Sequence, residues 1–363
     1  MSERIRSERY ERFEQYLYKL RELALGIMDN LDDNDKRIIR GFFKRQYPSP
    51  REHYWSIKKL YCFAMFLPVF LQIGLSYFDK LIYIDTHAGP GLAKIGPEED
   101  EFVPGSPLIA LKWPEIIAET CKPFRKIQRG FDEYVLVDKD PQVHNILHRI
   151  INNVAKDKEV AVINSDSNHY LPSLAKRISK EQAKKRVLAL LFVDPFGIIK
   201  SQLSYSALSS LLGGDCKVDV VMNIMSSMLA RGLSYQLNSN YLKYKDTVRL
   251  LFNDLPSRVR GLSLFEYCLK KPSPKASISR DDVVQAYIHL FKSFRYQTIF
   301  CVPVEFREGQ ILYHLILASK SRGARRWLGN YVNYIESQLP QGYESLKAKW
   351  FKVSGKGLYK WLS

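Results

Sequence analysis

The feature that most constrains the fold is an alternation of short apolar runs with longer helical patterns through the middle of the chain. Each run is rich in β-branched residues, is apolar throughout and ends in a polar or turn residue, which is typical of strands buried on both faces of a parallel sheet. The sequence therefore predicts a series of βαβ units and an α/β fold with a doubly wound sheet. The predicted strands are Leu81–Asp85, Tyr134–Asp138, Val160–Asn164, Val187–Asp194 and Val218–Ile224, and the predicted helices between them are Ser106–Glu119, Pro141–Val154, Tyr170–Lys184 and Tyr205–Leu212.

Two further predicted strands, Thr298–Val304 and Ile311–Ser319, lie close together near the end of the chain. The link between them, Glu305–Gln310, is too short for a crossover helix, so the two strands are predicted to form an antiparallel hairpin. The sequence therefore predicts a seven-stranded, Rossmann-like sheet of five parallel strands plus a terminal antiparallel hairpin. This strand count resembles that of the class I methyltransferase sheet, whereas a plain dinucleotide-binding sheet would be all parallel.

These patterns divide the chain into successive segments. The parallel strands form the central core, and helical patterns dominate the regions before it and between the fifth strand and the hairpin. The predicted segments are a helical N-terminal region (1–78), a Rossmann-like methyltransferase core (79–224), a helical insertion (225–297), the terminal hairpin that completes the core (298–320) and a basic, aromatic C-terminal tail (321–363).

The chain is strongly basic, with 55 Lys and Arg against 38 Asp and Glu, a formal net charge of +17. Such an excess favours a polyanionic partner, because cationic side chains that contact phosphates release condensed counterions. The sequence therefore predicts binding to nucleic acid, RNA or DNA. A basic protein without such a partner is the alternative, and an anionic membrane surface is a weaker one, since no strongly basic amphipathic helix stands out.

Several classes of protein are excluded by the composition. No run of about 18 uncharged apolar residues occurs, so no membrane-spanning helix is expected; the nearest stretch, Tyr61–Tyr77, contains Pro68 and is interpreted as a buried helix pair. The first residues mix both charge signs, unlike a signal peptide. The five cysteines are dispersed without a C-x-x-C pair, which argues against a zinc site and for reduced thiols in the cytoplasm. No metal site is predicted.

The first predicted strand leads into a loop of the pattern D-x-x-x-G-x-G. Doubly wound sheets bind ligands at the carboxyl ends of their strands, where glycines let the backbone approach a ligand closely. A pyrophosphate site would need G-x-G-x-x-G running directly into a helix, and no helix is predicted before Ser106. The loop is therefore predicted to bind the amino-acid end of S-adenosylmethionine, with a simple glycine-rich turn as the alternative. The predicted cofactor-binding residues here are Asp85, His87, Ala88, Gly89 and Gly91.

Acidic and hydroxyl side chains follow the next two predicted strands. Asp138 ends the second strand, where a carboxylate can accept hydrogen bonds from both hydroxyls of a ribose. It follows Asp85 by more residues than a dinucleotide fingerprint expects, partly because of the acidic loop 92–105, which we interpret as a lid. Asp166 and Ser167 follow the third strand, where they are predicted to meet the adenine amino group. The alternative at each of these positions is a helix cap.

The fourth predicted strand ends in the most distinctive motif, Asp194-Pro195-Phe196-Gly197. An acceptor held at a strand tip can bind a planar exocyclic amine, and an aromatic ring two residues further on can stack on the base. Catalysis would then come mainly from orienting the amine nitrogen toward the methyl group of S-adenosylmethionine. These four residues are the predicted catalytic residues, and a plain strand-to-turn segment is the alternative.

Two basic regions are candidates for phosphate contacts. The first lies along a predicted helix and its end, and it is either a solvated helix face or part of a phosphate track. The second lies in the C-terminal segment, where aromatic residues between the cations would permit stacking on bases as well as phosphate contact. The predicted nucleic-acid-binding residues are Lys176, Arg177, Lys184, Lys185 and Arg186 in the first region and Arg325, Arg326 and Lys356 in the second.

Short motifs spread from about residue 54 to residue 330 resemble the three-Cys-motif partner protein family. They are Trp55–Leu60, Tyr83–Gly91, Gly105–Leu111, Val193–Gly197, Val218–Asn223 and Leu312–Lys320. The family looks like class I methyltransferases and is named for its association with a radical-SAM-type protein that carries three cysteines. The resemblance therefore implies use of S-adenosylmethionine and a protein partner of that kind.

The resemblance also implies roles for single residues. Asp85, Gly89 and Gly91 would form the cofactor loop, Asp138 would hold the ribose, and the segment from Asp194 to Phe196 would form the amine-methylation motif. The same motif is similar to that of the tRNA guanosine dimethyltransferases. Our hypothesis is an S-adenosylmethionine-dependent methyltransferase that acts on an exocyclic base amine of nucleic acid, with RNA such as tRNA favoured over DNA. The alternative is a non-catalytic, methyltransferase-like module that binds nucleic acid as the partner of a three-Cys-motif protein.

Overall fold

Strands and helices alternate along the chain as predicted, which confirms the α/β class. The computed structural model describes residues 3–46, 53–96, 101–117, 129–195, 203–238, 279–307, 310–338 and 343–353. Its strands are β1 (Lys80–Asp85), β2 (Leu92–Lys94), β3 (Phe102–Pro104), β4 (Glu133–Asp138), β5 (Glu159–Asn164), β6 (Val187–Val193), β7 (Val218–Ile224), β8 (Thr298–Arg307) and β9 (Gln310–Ser319).

Seven of these strands form one sheet in the order β5-β4-β1-β6-β7-β9-β8. The first five in this order pair in parallel, and β9 pairs antiparallel with both β7 and β8. The predicted terminal hairpin is therefore confirmed, and the last strand in sequence lies between β7 and β8. The prediction that every parallel strand is buried on both faces is wrong for β5, because this strand lies at the sheet edge and its side chains are half-exposed or exposed.

Eleven helices occur in the described part of the chain, and they cover both faces of the sheet. Residues that alternate along each strand face opposite cores, since successive side chains of a strand point to opposite faces. On β1, for example, Leu81 and Tyr83 join one core, and Ile82 and Ile84 join the other. The helices on the first core are α1 (Glu3–Asp29), α2 (Asp33–Gln46), α3 (Trp55–Tyr77), α4 (Ser106–Ile117), α5 (Pro141–Val154), α10 (Ala324–Gln338) and α11 (Tyr343–Val353), and those on the second are α6 (Ser167–Gln182), α7 (Tyr205–Leu212), α8 (Ser226–Asn238) and α9 (Arg280–Ser293).

The interpretation of Tyr61–Tyr77 as a helix pair is wrong. The stretch belongs to the single helix α3, which contains Pro68 and buries apolar side chains such as Phe63 and Phe70 in the first core. In the described residues, Ser56–Tyr77 is long and apolar enough to cross a membrane, but 67% of its most apolar 18-residue window is buried inside the protein. A core helix passes the same test, so this helix is weak evidence for a membrane span.

Two other segments differ from their predictions. The stretch 92–105 was expected to be a loop, but it contains the antiparallel strands β2 and β3, and residues 97–100 within it lie outside the described residues. In the C-terminal segment 321–363, which was expected to be a basic, aromatic tail, the described residues include the helices α10 and α11. Tyr331 and Trp350 are buried there in the first core, so these aromatic side chains stabilise the fold and cannot stack on bases.

Candidate functional site at the carboxyl edge of the sheet

The carboxyl edge of the sheet contains a switch point between β1 and β6. These strands are neighbours, but the chain leaves β1 toward β4 and leaves β6 toward β7 on the other side. Doubly wound sheets bind ligands in the crevice that such diverging connections create. Asp85 ends β1 and Asp194 directly follows β6, so two of the predicted site residues lie at this switch point.

Hydrogen bonds join the loops that follow β1, β4 and β5. The N–H of Gly89 donates to Asp138 Oδ2 at 3.0 Å, which connects the first loop to the tip of β4. The hydroxyl of Ser167 donates to the carbonyl oxygen of Thr86 at 2.6 Å, which connects the start of α6 to the same loop. The structure thus brings together the residues that were predicted to bind the cofactor.

Asp85 is fully buried and its carboxylate is occupied by the protein itself. Oδ2 accepts hydrogen bonds from the hydroxyls of Ser106 at 2.7 Å and Tyr83 at 2.9 Å, and Oδ1 accepts one from the N–H of His87 at 3.1 Å. Burial raises the pKa of Asp85 to about 6; the three hydrogen bonds oppose this rise, and the nearby charge of Asp194 adds to it. Asp85 therefore holds the loop in place, rather than presenting a free carboxylate to a ligand.

The glycines of this loop adopt backbone conformations that other residues rarely take. Gly89 has φ of 58° and Gly91 has φ of 78°, both in the left-handed region. The carbonyl oxygen of Gly91 accepts a hydrogen bond from the N–H of Gly105 at 2.7 Å, and the N–H of Ala88 donates to Val137. Of the predicted cofactor residues in the loop, His87 alone is half-exposed, and its Nδ1 lies 2.8 Å from the Thr86 hydroxyl.

Asp138 and Asp166 have different roles. Asp138 is half-buried and accepts hydrogen bonds from the N–H groups of Gly89 and Asp140, and burial raises its pKa. The cap of α5 is Asp140, so Asp138 is not that helix cap. Asp166 is the N-cap of α6 and accepts a hydrogen bond from the N–H of Asn168 at 2.8 Å, which matches the alternative considered for it.

Asp194 is held between two side chains that the sequence analysis did not single out. Lys59 of α3 donates to Oδ2 and forms a nearly buried ion pair, with side-chain exposures of 12% for Lys59 and 14% for Asp194. Asn223 near the end of β7 donates its Nδ2 to Oδ1 at 2.7 Å. Both residues lie in motifs that carry the family resemblance, and these motifs are the sequence signal by which they could have been found. Pro195 is buried, and Phe196 and Gly197 lie outside the described residues.

The side-chain amide of Asn223 is hydrogen-bonded at its nitrogen but, among the described residues, not at its oxygen. Its Oδ1 is buried and accepts no hydrogen bond from any described residue. A buried acceptor without a donor costs free energy of about 1–3 kcal/mol, so a ligand that donates a hydrogen bond to this atom would stabilise the site. The neighbouring pair at this edge is satisfied: the hydroxyl of Ser226 lies 2.8 Å from Nδ1 of His314, and burial lowers the pKa of this imidazole and favours its neutral form.

The first group of predicted nucleic-acid-binding residues lies away from this edge. Arg177 pairs with Glu133 at the start of β4, and Arg186 pairs with Asp79 at the start of β1. These are the amino ends of the strands, opposite the candidate site. Lys185 lies 3.6 Å from Glu181, whereas Lys176, Lys184, Arg325 and Arg326 are exposed and Lys356 lies outside the described residues.

No metal centre emerges from the part of the chain that the structure describes, since it contains no group of three or more His, Cys, Asp or Glu side chains suited to one.

Comparisons with known proteins do not identify the chain. No protein-family model matches it, and no curated protein matches it. Protein LPL1258 from Legionella pneumophila str. Philadelphia 1, a crystal structure described under the family model DUF519, is similar over 75% of this chain and 91% of its own. The identity is 14% and the TM-score is 0.36, so this likeness carries no argument about activity.

Proposed function

We propose that this protein is an S-adenosylmethionine-dependent methyltransferase of the class I fold that acts on an exocyclic amine of a nucleic-acid base, with RNA such as tRNA favoured over DNA. The observation that carries the proposal is a pair of acceptors at the tips of β6 and β7. The carboxylate of Asp194 accepts a hydrogen bond from Nδ2 of Asn223, and Oδ1 of the same amide is buried without a donor among the described residues.

An exocyclic amine carries two N–H donors in one plane, so two adjacent acceptors can bind both of them. Asn223 Oδ1 can accept one without losing any hydrogen bond to a described residue. Asp194 can accept the other when Lys59 moves aside, because each carboxylate oxygen has two lone pairs. Binding both hydrogens would fix the amine plane and expose the nitrogen lone pair, so that orientation supplies most of the rate enhancement.

The residues at the tips of β1 and β4 suit the proposed cofactor in part. S-adenosylmethionine, when bound, supplies an electrophilic methyl group. Gly89 and Gly91 keep side chains out of the loop, and Asp138 retains lone pairs beyond the two that accept backbone N–H groups. Asp85 fits a different role from the one that the sequence suggested, since its hydrogen bonds hold the loop and leave no exposed carboxylate for an ammonium group.

The sheet and the net charge add support. Five parallel strands with a terminal antiparallel hairpin have the strand count of class I methyltransferases, and a formal charge of +17 suits a polyanionic substrate. The proposal includes a cytoplasmic location, with which the free thiols of Cys62, Cys216 and Cys301 agree.

The ion pair between Lys59 and Asp194 favours the second candidate, a non-catalytic module that binds nucleic acid as the partner of a radical-SAM-type three-Cys-motif protein. An ammonium group held against Asp194 occupies lone pairs that a base amine would need. It would also disfavour the positive charge that develops on a nitrogen as it is methylated. Under the enzyme proposal, Lys59 has to move aside when the base binds.

Cofactor binding and methyl transfer test the proposal. Calorimetric titration with S-adenosylmethionine up to millimolar concentration is expected to show binding, and radiolabelled methyl is expected to reach bulk tRNA, rRNA or DNA. Asp194→Ala is expected to abolish methyl transfer while RNA affinity stays nearly unchanged. Asp157→Ala is the charge-matched control, because Asp157 is exposed in the turn before β5 at the opposite edge.

Absence of cofactor binding by the folded protein would refute the enzyme proposal. Cofactor binding without transfer to any of these nucleic acids would favour the non-catalytic module. Full activity of the Asp194→Ala variant would show that the acceptor pair does not hold the amine.

A further inference from the structure

We propose that a basic cleft at the amino edge of the sheet binds phosphate groups of a nucleic-acid backbone. That the bound anion is a nucleic acid rests on the proposed function, whereas the presence of an anion site does not. The cleft lies where α9 ends, β8 begins and α10 begins, and its volume is about 700 Å³. Its lining residues are Lys292, Arg295, Tyr296, Gln297, Arg322 and Arg325.

The four cations of this basic cleft have no acidic partner among the described residues. Lys292, Arg295 and Arg325 are exposed and form no described ion pair, and Arg322 donates its Nε to Gln297 Oε1 at 2.5 Å. Other cations at the same edge behave differently, since Arg177 and its neighbours pair with carboxylates. Four uncompensated like charges around one cavity repel each other, and a bound anion would relieve that repulsion.

Backbone hydrogen bonds define the turn between α9 and β8 that carries Arg295. Arg295 has φ of 66°, which makes it the one non-glycine residue with positive φ in the described part of the chain. Its N–H donates to the carbonyl of Lys292 at 3.0 Å, and the N–H of Gln297 donates to Ser319 at 3.2 Å. The hydroxyl of Tyr296 donates to Val218 at 2.7 Å, so the cleft is anchored to the start of β7.

The chemistry of the lining indicates phosphate contact rather than base recognition. Tyr296 is 3% exposed, so its ring cannot stack on a base, and the other lining side chains are polar or cationic. Contacts to phosphates position a nucleic acid without reading its sequence. The cleft is therefore expected to bind many sequences alike.

The position of the cleft sets a minimum length for a nucleic acid that reaches both edges of the sheet. Val218 lies at the cleft end of β7 and Asn223 near its other end, about 17 Å away at roughly 3.3 Å per residue. A duplex covers that distance with on the order of five base pairs. A mononucleotide cannot contact the basic cleft and Asp194 at the same time.

Binding of a mixed-sequence 20-base-pair RNA duplex to the full chain, measured by fluorescence anisotropy without cofactor, tests the proposal. The variant is Lys292→Gln/Arg325→Gln, since neither side chain forms a described hydrogen bond. The control is Lys44→Gln/Lys156→Gln, which removes two exposed charges from α2 and from the turn between α5 and β5. Each lost phosphate contact reduces the slope of log K against log salt by about one. The cleft variant is therefore expected to reduce the slope by about two, and the control is expected to change it little.

Equal slopes for the cleft variant and the control would overturn the proposal, as would a wild-type protein that binds no duplex at about 50 mM salt. Inorganic phosphate and vesicles that contain phosphatidylserine are the other probes. A loss of binding to either probe with unchanged duplex binding would assign the cleft to a small anion or a membrane instead. Because no cofactor is present, a failure of methyl transfer leaves this result unaffected.

Discussion

The buried carboxylate of Asp85 makes a quantitative prediction about stability. Its pKa rises from 3.8 to about 6 on folding, chiefly because burial disfavours the charged form. The folded state therefore binds the proton more tightly than the unfolded state. The resulting stabilisation is fully present below about pH 3.8 and is lost as the pH rises through about 6. Each pKa unit corresponds to about 1.36 kcal/mol, so the loss is about 3 kcal/mol.

Asp85→Asn removes this titration while it keeps an oxygen acceptor for the loop. Urea denaturation of the wild type and the variant between pH 4 and pH 7.5 measures both free energies of unfolding. Wild-type stability relative to the variant is expected to fall by about 2 kcal/mol across this range, since the unfolded carboxyl is already partly ionised at pH 4. Asp157→Asn, which changes an exposed carboxylate, is the control and is expected to give a nearly constant difference. A constant difference for Asp85→Asn would refute the reasoning.

Three more substitutions test other contacts of the fold. Lys59→Met leaves Asp194 buried without its ion-pair partner and should cost about 3 kcal/mol of stability in urea, with partial recovery when Asp194→Ala is added. Gly91→Ala should lower the melting temperature, because φ is 78° and the new Cβ would lie 3.0 Å from Leu147, a cost of roughly 1–2 kcal/mol. Burial alone would raise the pKa of Glu133, but its two cationic partners outweigh burial and lower this pKa overall. The ionised Glu133 carboxylate therefore stabilises the fold above about pH 4.5, and this stabilisation is lost on acidification. Glu133→Gln should therefore be less stable than wild type at pH 7 and should lose less stability between pH 5 and pH 3.

Much of the sheet could be predicted from the sequence because strand signals are local. The predicted run Val218–Ile224 coincides with β7, and the short link at Glu305–Gln310 correctly indicated the antiparallel hairpin. The small strands β2 and β3 were missed, because three-residue strands carry too little periodicity to be recognised.

The environment of each acidic residue could not be predicted, because it depends on groups far away in sequence. Asp85 was expected to face a ligand, yet Ser106 and Tyr83 enclose its carboxylate. Asp194 was correctly expected at the tip of its strand, but its partner Lys59 precedes it by 135 residues. No pattern in either segment indicates that contact.

The sequence by itself determined the seven strands of the main sheet, and therefore that acidic side chains follow several parallel strands. The tertiary structure alone decided which of those carboxylates are enclosed, paired or still able to accept a hydrogen bond. Apolar periodicity is a property of neighbouring residues, whereas hydrogen bonds and burial depend on how α3, α4 and the strand tips meet in space.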